Sequence, residues 1–199
     1  MSITLAVRPT IIDRIVPKSL AADVALIASG AILTSVAAQL AIPAYPVPFT
    51  FQTLAVLLVG VTIGSTRGAL ALALYAVLGL IGLPVFAPKA DGSHVVGIAA
   101  ITGPTFGFLI GFIVAAAVIG FLAERKWSSN VFKMFAAYAI SSLIIYAFGV
   151  PVLSAVAFAG NFGAAATYMA PFLIWDAVKA VIAAGLLPLA WRGVNSIKR

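Results

Sequence analysis

The sequence predicts an all-α, polytopic integral membrane protein with six transmembrane helices and both termini cytoplasmic. Three observations carry this. Of the 199 residues, 63% are hydrophobic. Only 9% are charged, 12 Lys or Arg against 5 Asp or Glu, where a soluble domain carries about 25%. The basic residues also gather in alternate loops. So few charges cannot solvate the surface of a globule in water, which excludes an ordinary soluble domain, a disordered chain and a nucleic-acid binder. The net charge of +7 comes from scarce acids, not abundant bases. At about 20 residues per span there is room for roughly six spans joined by short loops. Residues 1–199 are therefore expected to form a single transmembrane domain.

The elements follow in order. Residues 1–19 carry Arg8, Pro9, Arg14 and Lys18. They read as a cytoplasmic segment, since they lack the apolar core and small-residue cleavage site of a secretory signal. The first helix spans residues 20–42 and breaks at Pro43. Pro43, Pro46 and Pro48 remove donors and disfavour helix before them, so residues 43–48 form a stiff loop or re-entrant stretch. The second and third helices span 49–64 and 68–82. Both are short, which suits burial or a partly interfacial position. Residues 83–103, rich in Gly and Pro, are the longest irregular segment. The fourth helix spans 104–123 and the fifth 131–150, with Pro151 ending or kinking it. Residues 159–167 read as a loop, and the sixth helix spans 168–191. No internal repeat is visible, which gives an inverted-repeat carrier little support.

Charge sets the orientation. With six spans, one side collects Arg8, Arg14, Lys18, Arg67, Arg125, Lys126, Lys133, Arg192, Lys198 and Arg199, and the other only Lys89. The positive-inside rule then places both termini in the cytoplasm.

Ionisable groups inside a span are functional candidates, because lipid makes them expensive. Asp176 and Lys179 are the two clear cases. Their spacing of three puts them on one helical face, close enough to pair. They lie roughly 12 to 17 Å below the outer surface at 1.5 Å per residue. The pair either fixes helix packing or floors an outward-facing pocket for a small polar ligand, where a carboxylate accepts N–H groups and an ammonium donates. Gln52 is costly in lipid if unpaired, so it faces protein or a pocket. Tyr45, Phe49, Phe86, Tyr168 and Trp175 form an aromatic belt or wall a binding site. His94 sits in the long outer loop with Lys89, Asp91 and Ser93, either solvated or part of a lid.

Glycines at a spacing of four, Gly60, Gly64 and Gly68, and Gly103, Gly107 and Gly111, allow close helix approach. Ala21, Ala25 and Ser29 form a similar smooth stripe, facing a neighbouring helix or another protein; spacing alone favours the internal neighbour. No cysteine is present and His94 is the lone histidine, so a thiolate or multi-histidine metal site is not expected. There is no phosphate-binding P-loop and no zinc-protease or serine-hydrolase motif, so an enzyme is not expected.

Several segments in one order resemble a known family. They are Pro46–Leu58 (PVPFTFQTLAVLL), Gly64–Leu70 (GSTRGAL), Tyr75, Leu78–Phe86 (LGLIGLPVF), Gly103–Phe108 (GPTFGF), Pro171-Phe172 and Trp175–Lys179 (WDAVK). Together, across about residues 20–192, they resemble the BioY family, the biotin-specific S components of energy-coupling factor transporters. The resemblance implies a six-helix protein of a prokaryotic plasma membrane that captures biotin from outside. It implies polar ligand contacts from Asp176 and Lys179, with the outer loops after the first and third helices capping the pocket. Read from the residues themselves, Gln52, Tyr45, Phe86, Trp175 and His94 are further candidate substrate-binding residues. The resemblance further implies a transmembrane coupling protein and two ATPase subunits as partners, with Ala21, Ala25 and Ser29 as the docking face. No cofactor is implied; biotin is the cargo. The loop 87–96, with Lys89, Asp91 and His94, departs from the shorter glycine-rich stretch expected there. A gradient-driven secondary carrier for another small solute is the alternative.

Overall fold

The computed structural model describes residues 10, 12–14, 16–89 and 91–197, with the backbone alone at residues 14, 184 and 186–197. Expectations for residues 1–9, 198 and 199, and for the side chains of Arg14 and Arg192, lie outside the described residues. After a 3-10 turn at Ile12–Arg14, the chain forms α1 (Leu20–Gln39), β1 (Ala41–Ile42), β2 (Phe49–Thr50), α2 (Gln52–Ile63) and α3 (Ser65–Leu80). A short α4 (Ile98–Ile101) precedes α5 (Phe106–Glu124), α6 (Val131–Ala157) and α7 (Phe162–Ile197).

α1 starts where expected, because the Ser19 hydroxyl accepts from the Ala22 amide at 3.1 Å and satisfies an orphan donor of the first turn. It ends at Gln39 rather than residue 42. Pro43 forces the residue before it out of the helical region. Ala41 and Ile42 instead pair antiparallel with Thr50 and Phe49. The same pairing delays α2 to Gln52, three residues later than predicted. The proline-rich stretch is thus the tip of a small two-stranded hairpin.

Gly64 makes the whole turn between α2 and α3, at φ 92°, a value that glycine tolerates without strain. α3 therefore begins at Ser65, not residue 68. Glu124 at the end of α5 accepts from the Ser65 amide at 2.8 Å and serves as a remote cap.

Two corrections concern the C-terminal half. α6 does not stop before Pro151 but runs through it to Ala157. The missing N–H frees one carbonyl, a loss that neighbouring helices offset inside a membrane protein. Here α5 braces the segment: a Cβ at Gly107 would overlap the Phe148 carbonyl, and one at Gly149 would overlap the Phe108 ring. The predicted loop 159–167 shrinks to four residues. Ala159 and Gly160 take positive φ values of 49° and 82°, and the Asn161 carboxamide accepts from the Ala164 amide at 3.0 Å to start α7. α7 begins six residues early and runs to Ile197 rather than 191.

α5 is the hub, packed against α2, α3 and α6, while α1 leans on α3 and α7 on α6. Small residues set these approaches. Gly60 faces the Ala116 backbone, Gly68 faces Gly60, and Gly111 faces the Ile145 backbone. Gly103, by contrast, lies before α5, and Gly64 is the turn. α1 buries Gly30, Ala31, Thr34, Ala37 and Ala38. Ala21, Ala25 and Ser29 are exposed, which corrects the spacing-based preference for an internal neighbour.

Among the described residues, α1, α5, α6 and residues 162–183 of α7 are long and apolar enough to cross a membrane. α2 and α3 are shorter apolar helices. This is a mostly helical, multi-pass membrane protein. At the end carrying the N-terminal segment, Arg67 on α3 bridges Asp13 at 2.7 Å and Asp23 on α1 at 2.8 Å.

Candidate functional site

The floor of the site is built by two helices that start or pass beneath the hairpin. Gln52 and Thr53 open α2 directly after β2, so the turn that ends the hairpin also aims their side chains. Asp176 and Lys179 share a face of α7. Because α7 starts at Phe162, Asp176 lies about 21 Å along the helix from that end, farther than the sequence suggested.

The expected pair exists. Lys179 Nζ lies 3.1 Å from Asp176 Oδ1, and both side chains are largely buried. Two hydroxyls complete the array. Thr53 accepts from Lys179 Nζ at 2.7 Å and donates to Asp176 Oδ1 at 2.8 Å. Tyr146 on α6 donates to Asp176 Oδ2. Lys179 also donates to the Thr50 carbonyl on β2 at 2.8 Å. An ammonium has three N–H groups, so every Lys179 donor is engaged. A carboxylate has about four acceptor positions, and Asp176 uses three. The array therefore offers an incoming N–H one open acceptor position, whereas an incoming carbonyl must displace a partner of Lys179. Gln52 donates to the Tyr75 hydroxyl at 2.7 Å and accepts from Thr50 Oγ1 at 3.0 Å.

Above this floor is a cavity of about 1080 Å³, slightly above the usual range of ligand pockets, about 300–1,000 Å³. Phe86, Phe108, Phe112, Phe172 and Trp175 line its apolar sides, and Tyr45, Pro46 and Val47 come from the hairpin. The hairpin is tied to α7 at three levels. Phe49 stacks on Phe172 with ring centroids 3.8 Å apart, the Tyr168 hydroxyl donates to the Val47 carbonyl at 3.1 Å, and Thr50 meets Lys179.

Of the residues singled out from sequence, Asp176, Lys179, Gln52, Tyr45, Phe86 and Trp175 all line the cavity. Tyr45 stands at the hairpin tip, 85% exposed, and Trp175 is 55% exposed. His94 is not among the lining residues; its Nδ1 lies 2.8 Å from the Phe86 carbonyl oxygen, behind the wall. Ala21, Ala25 and Ser29 are far along α1 from this array, on the outside. Thr53, Tyr75 and Tyr146 were missed. A tyrosine in the apolar run Ile144-Ile145-Tyr146-Ala147-Phe148 was the available signal for Tyr146.

The match to the BioY family model extends over residues 9–196. The chain belongs to the BioY family. Among BioY relatives, the biotin transporter of Thermotoga maritima is 42% identical over 159 residues, covering 76% of this chain and 85% of that one. The biotin transporter of Rhizobium etli is 38% identical over 146 residues, covering 70% and 75%. The fold matches a solved structure described as the S-component for biotin from an ECF-type ABC transporter. The TM-score is 0.74 at 21% identity, covering 88% of this chain and 95% of that one.

Proposed function

We propose that this BioY chain is the biotin-binding membrane component of an ATP-driven vitamin uptake system, capturing biotin from outside the cell. It is a transport component, not an enzyme, and biotin is its cargo. The observation that carries the reading is the Asp176, Lys179, Thr53 and Tyr146 array at the floor of an aromatic cavity. The biotin ureido ring has two N–H donors and one carbonyl. One N–H meets the open acceptor position of Asp176, and the carbonyl takes a donor from Lys179. The aromatic sides suit the fused ring and the aliphatic chain. Gln52 braces the floor, and Tyr45, Phe86 and Trp175 enclose the ligand, with the hairpin as cap.

Residues 1–199 form one transmembrane domain of six spans in a prokaryotic inner membrane, with α2 and α3 as the two shorter crossings. The ten-to-one split of loop basic residues supports cytoplasmic termini. A transmembrane coupling protein and two ATPase subunits supply the energy. The exposed Ala21, Ala25 and Ser29 stripe is the docking face, since small residues permit close helix approach in lipid.

The test is labelled biotin offered to the purified chain and to cells. The chain alone binds biotin, and uptake requires co-expressed coupling protein and ATPases. Uptake by the chain alone that collapses with an uncoupler would establish a gradient-driven carrier instead. Ala25→Trp is expected to abolish ATP-dependent uptake and leave binding intact; unchanged uptake would move the docking face elsewhere.

A further inference from the structure

The outer loop between α3 and α4 holds polar residues that the floor array does not use. Lys89 donates its amide to the Ser93 carbonyl at 2.8 Å. Asp91 Oδ1 accepts from the Ser93 amide at 2.9 Å and from its hydroxyl at 2.6 Å. Ser93 thereby holds the Asp91 carboxyl below the usual carboxylate range. Gly92 turns the chain at φ 79°, and Pro88 pairs antiparallel with His94. The loop closes on itself and returns His94 to a point behind Phe86. There His94 Nδ1 meets the Phe86 carbonyl at 2.8 Å. A carbonyl only accepts, so Nδ1 carries the proton. Gln39, the last residue of α1, donates to the same oxygen at 3.2 Å and to the Val85 carbonyl at 3.3 Å.

Two donors from separate parts of the chain thus converge on one carbonyl whose side chain walls the cavity. Phe86 is 8% exposed; its ring meets Tyr75 edge-on with centroids 5.4 Å apart and lies over Gly79, where a Cβ would overlap it. Tyr75 in turn accepts from Gln52 on the floor. Little in the wall can shift while its carbonyl is held.

We propose that His94 is a positioning residue that acts without touching ligand, and that Gln39, which itself lines the cavity, joins it in setting the place of the Phe86 wall and so the fit of the ligand ring. This rests on the biotin reading of the cavity. The purified full-length chain is titrated with biotin, and amide exchange of residues 83–97 is followed in parallel without ligand. His94→Ala is expected to raise the biotin Kd about tenfold, through the loss of one part-buried hydrogen-bond partner. His94→Asn, whose amide can replace Nδ1–H, stays near the parent. Gln39→Ala behaves like His94→Ala, and both speed exchange in the loop. In a Phe86→Ala background His94→Ala adds no further loss of affinity, as expected if it acts through the wall. An additive loss in that background, or exchange unchanged by His94→Ala and Gln39→Ala, overturns the proposal. If the parent fails to bind biotin, the functional reading falls, and the exchange result still decides whether the two residues hold the wall.

Discussion

Thr53 sits between an ammonium and a carboxylate and bonds to both. Other hydroxyls in this protein behave differently. Ser29, Thr34, Ser35 and Thr62 donate to carbonyls three or four residues back on their own helices. That local option makes a hydroxyl cheap in any apolar helix, so sequence cannot tell a Thr that reaches across from one that folds back. Asp176 and Lys179 have no such option, and their charge inside an apolar span made them legible. His94 was legible as unusual but not in its direction, because the turn that returns it to Phe86 depends on the Asp91 and Ser93 bonds. Each member of the floor array should matter to biotin. Asp176→Asn and Lys179→Ala are each expected to weaken binding at least about tenfold, by leaving a buried partner unpaired. Thr53→Val should weaken it by more than about tenfold, since a hydrogen bond to a charged group is worth about 1.5–3 kcal/mol. Titration of the purified variants with labelled biotin decides this; parental affinity in Asp176→Asn would move the site.

The helices themselves were readable from apolar runs, and so were the starts of α1 and α6, but most of the other ends were not. Pro43 and Pro48 acted at a distance of several residues, because β1 and β2 found each other across them. Pro151 did the reverse and was carried inside α6 by packing from α5. Both outcomes are tertiary, and propensity contains neither. Gly120 exposes the same logic in energetic form. A Cβ there would lie within 2.6 Å of backbone atoms of Gly64 and Ser65, and backbone cannot step aside as a flexible side chain can. Gly120→Ala is therefore expected to destabilise the chain by about 1–3 kcal/mol, the usual cost of overpacking. Thermal unfolding in detergent would show it as a lowered midpoint. An unchanged midpoint would mean that the α2–α3 turn is not held against α5.

At the scale of the whole molecule, composition carried the most information. The same composition that marks a membrane protein leaves few acids, and two of them, Asp13 and Asp23, gather on Arg67. This junction ties the segment before α1 to both α1 and α3. Burial opposes the charged form of Asp13, but Arg67 and the Thr10 amide and hydroxyl outweigh it and hold its carboxyl below the usual range. A depressed folded-state value contributes stability that is present above the unfolded value, about 3.9, and is lost as pH falls through the folded one. Asp13→Asn is thus expected to lower the melting midpoint near neutral pH. Its difference from the parent should shrink progressively as the pH is taken below about 4. A difference that holds constant down to pH 3 would remove Asp13 from the clamp.

The full engagement of Lys179 has a calorimetric consequence. In the proposed pose, biotin's carbonyl would exchange one hydrogen bond for another at that ammonium, so the polar floor would contribute direction more than heat. The net drive then falls to apolar area removed from water against Phe86, Phe108, Phe172 and their neighbours. Burial of that kind is marked by a negative heat-capacity change on binding. Titrations from 10 to 35 °C should give a binding enthalpy that grows steadily more exothermic with temperature. An enthalpy flat across that range would mean that the aromatic sides are not what holds the ring.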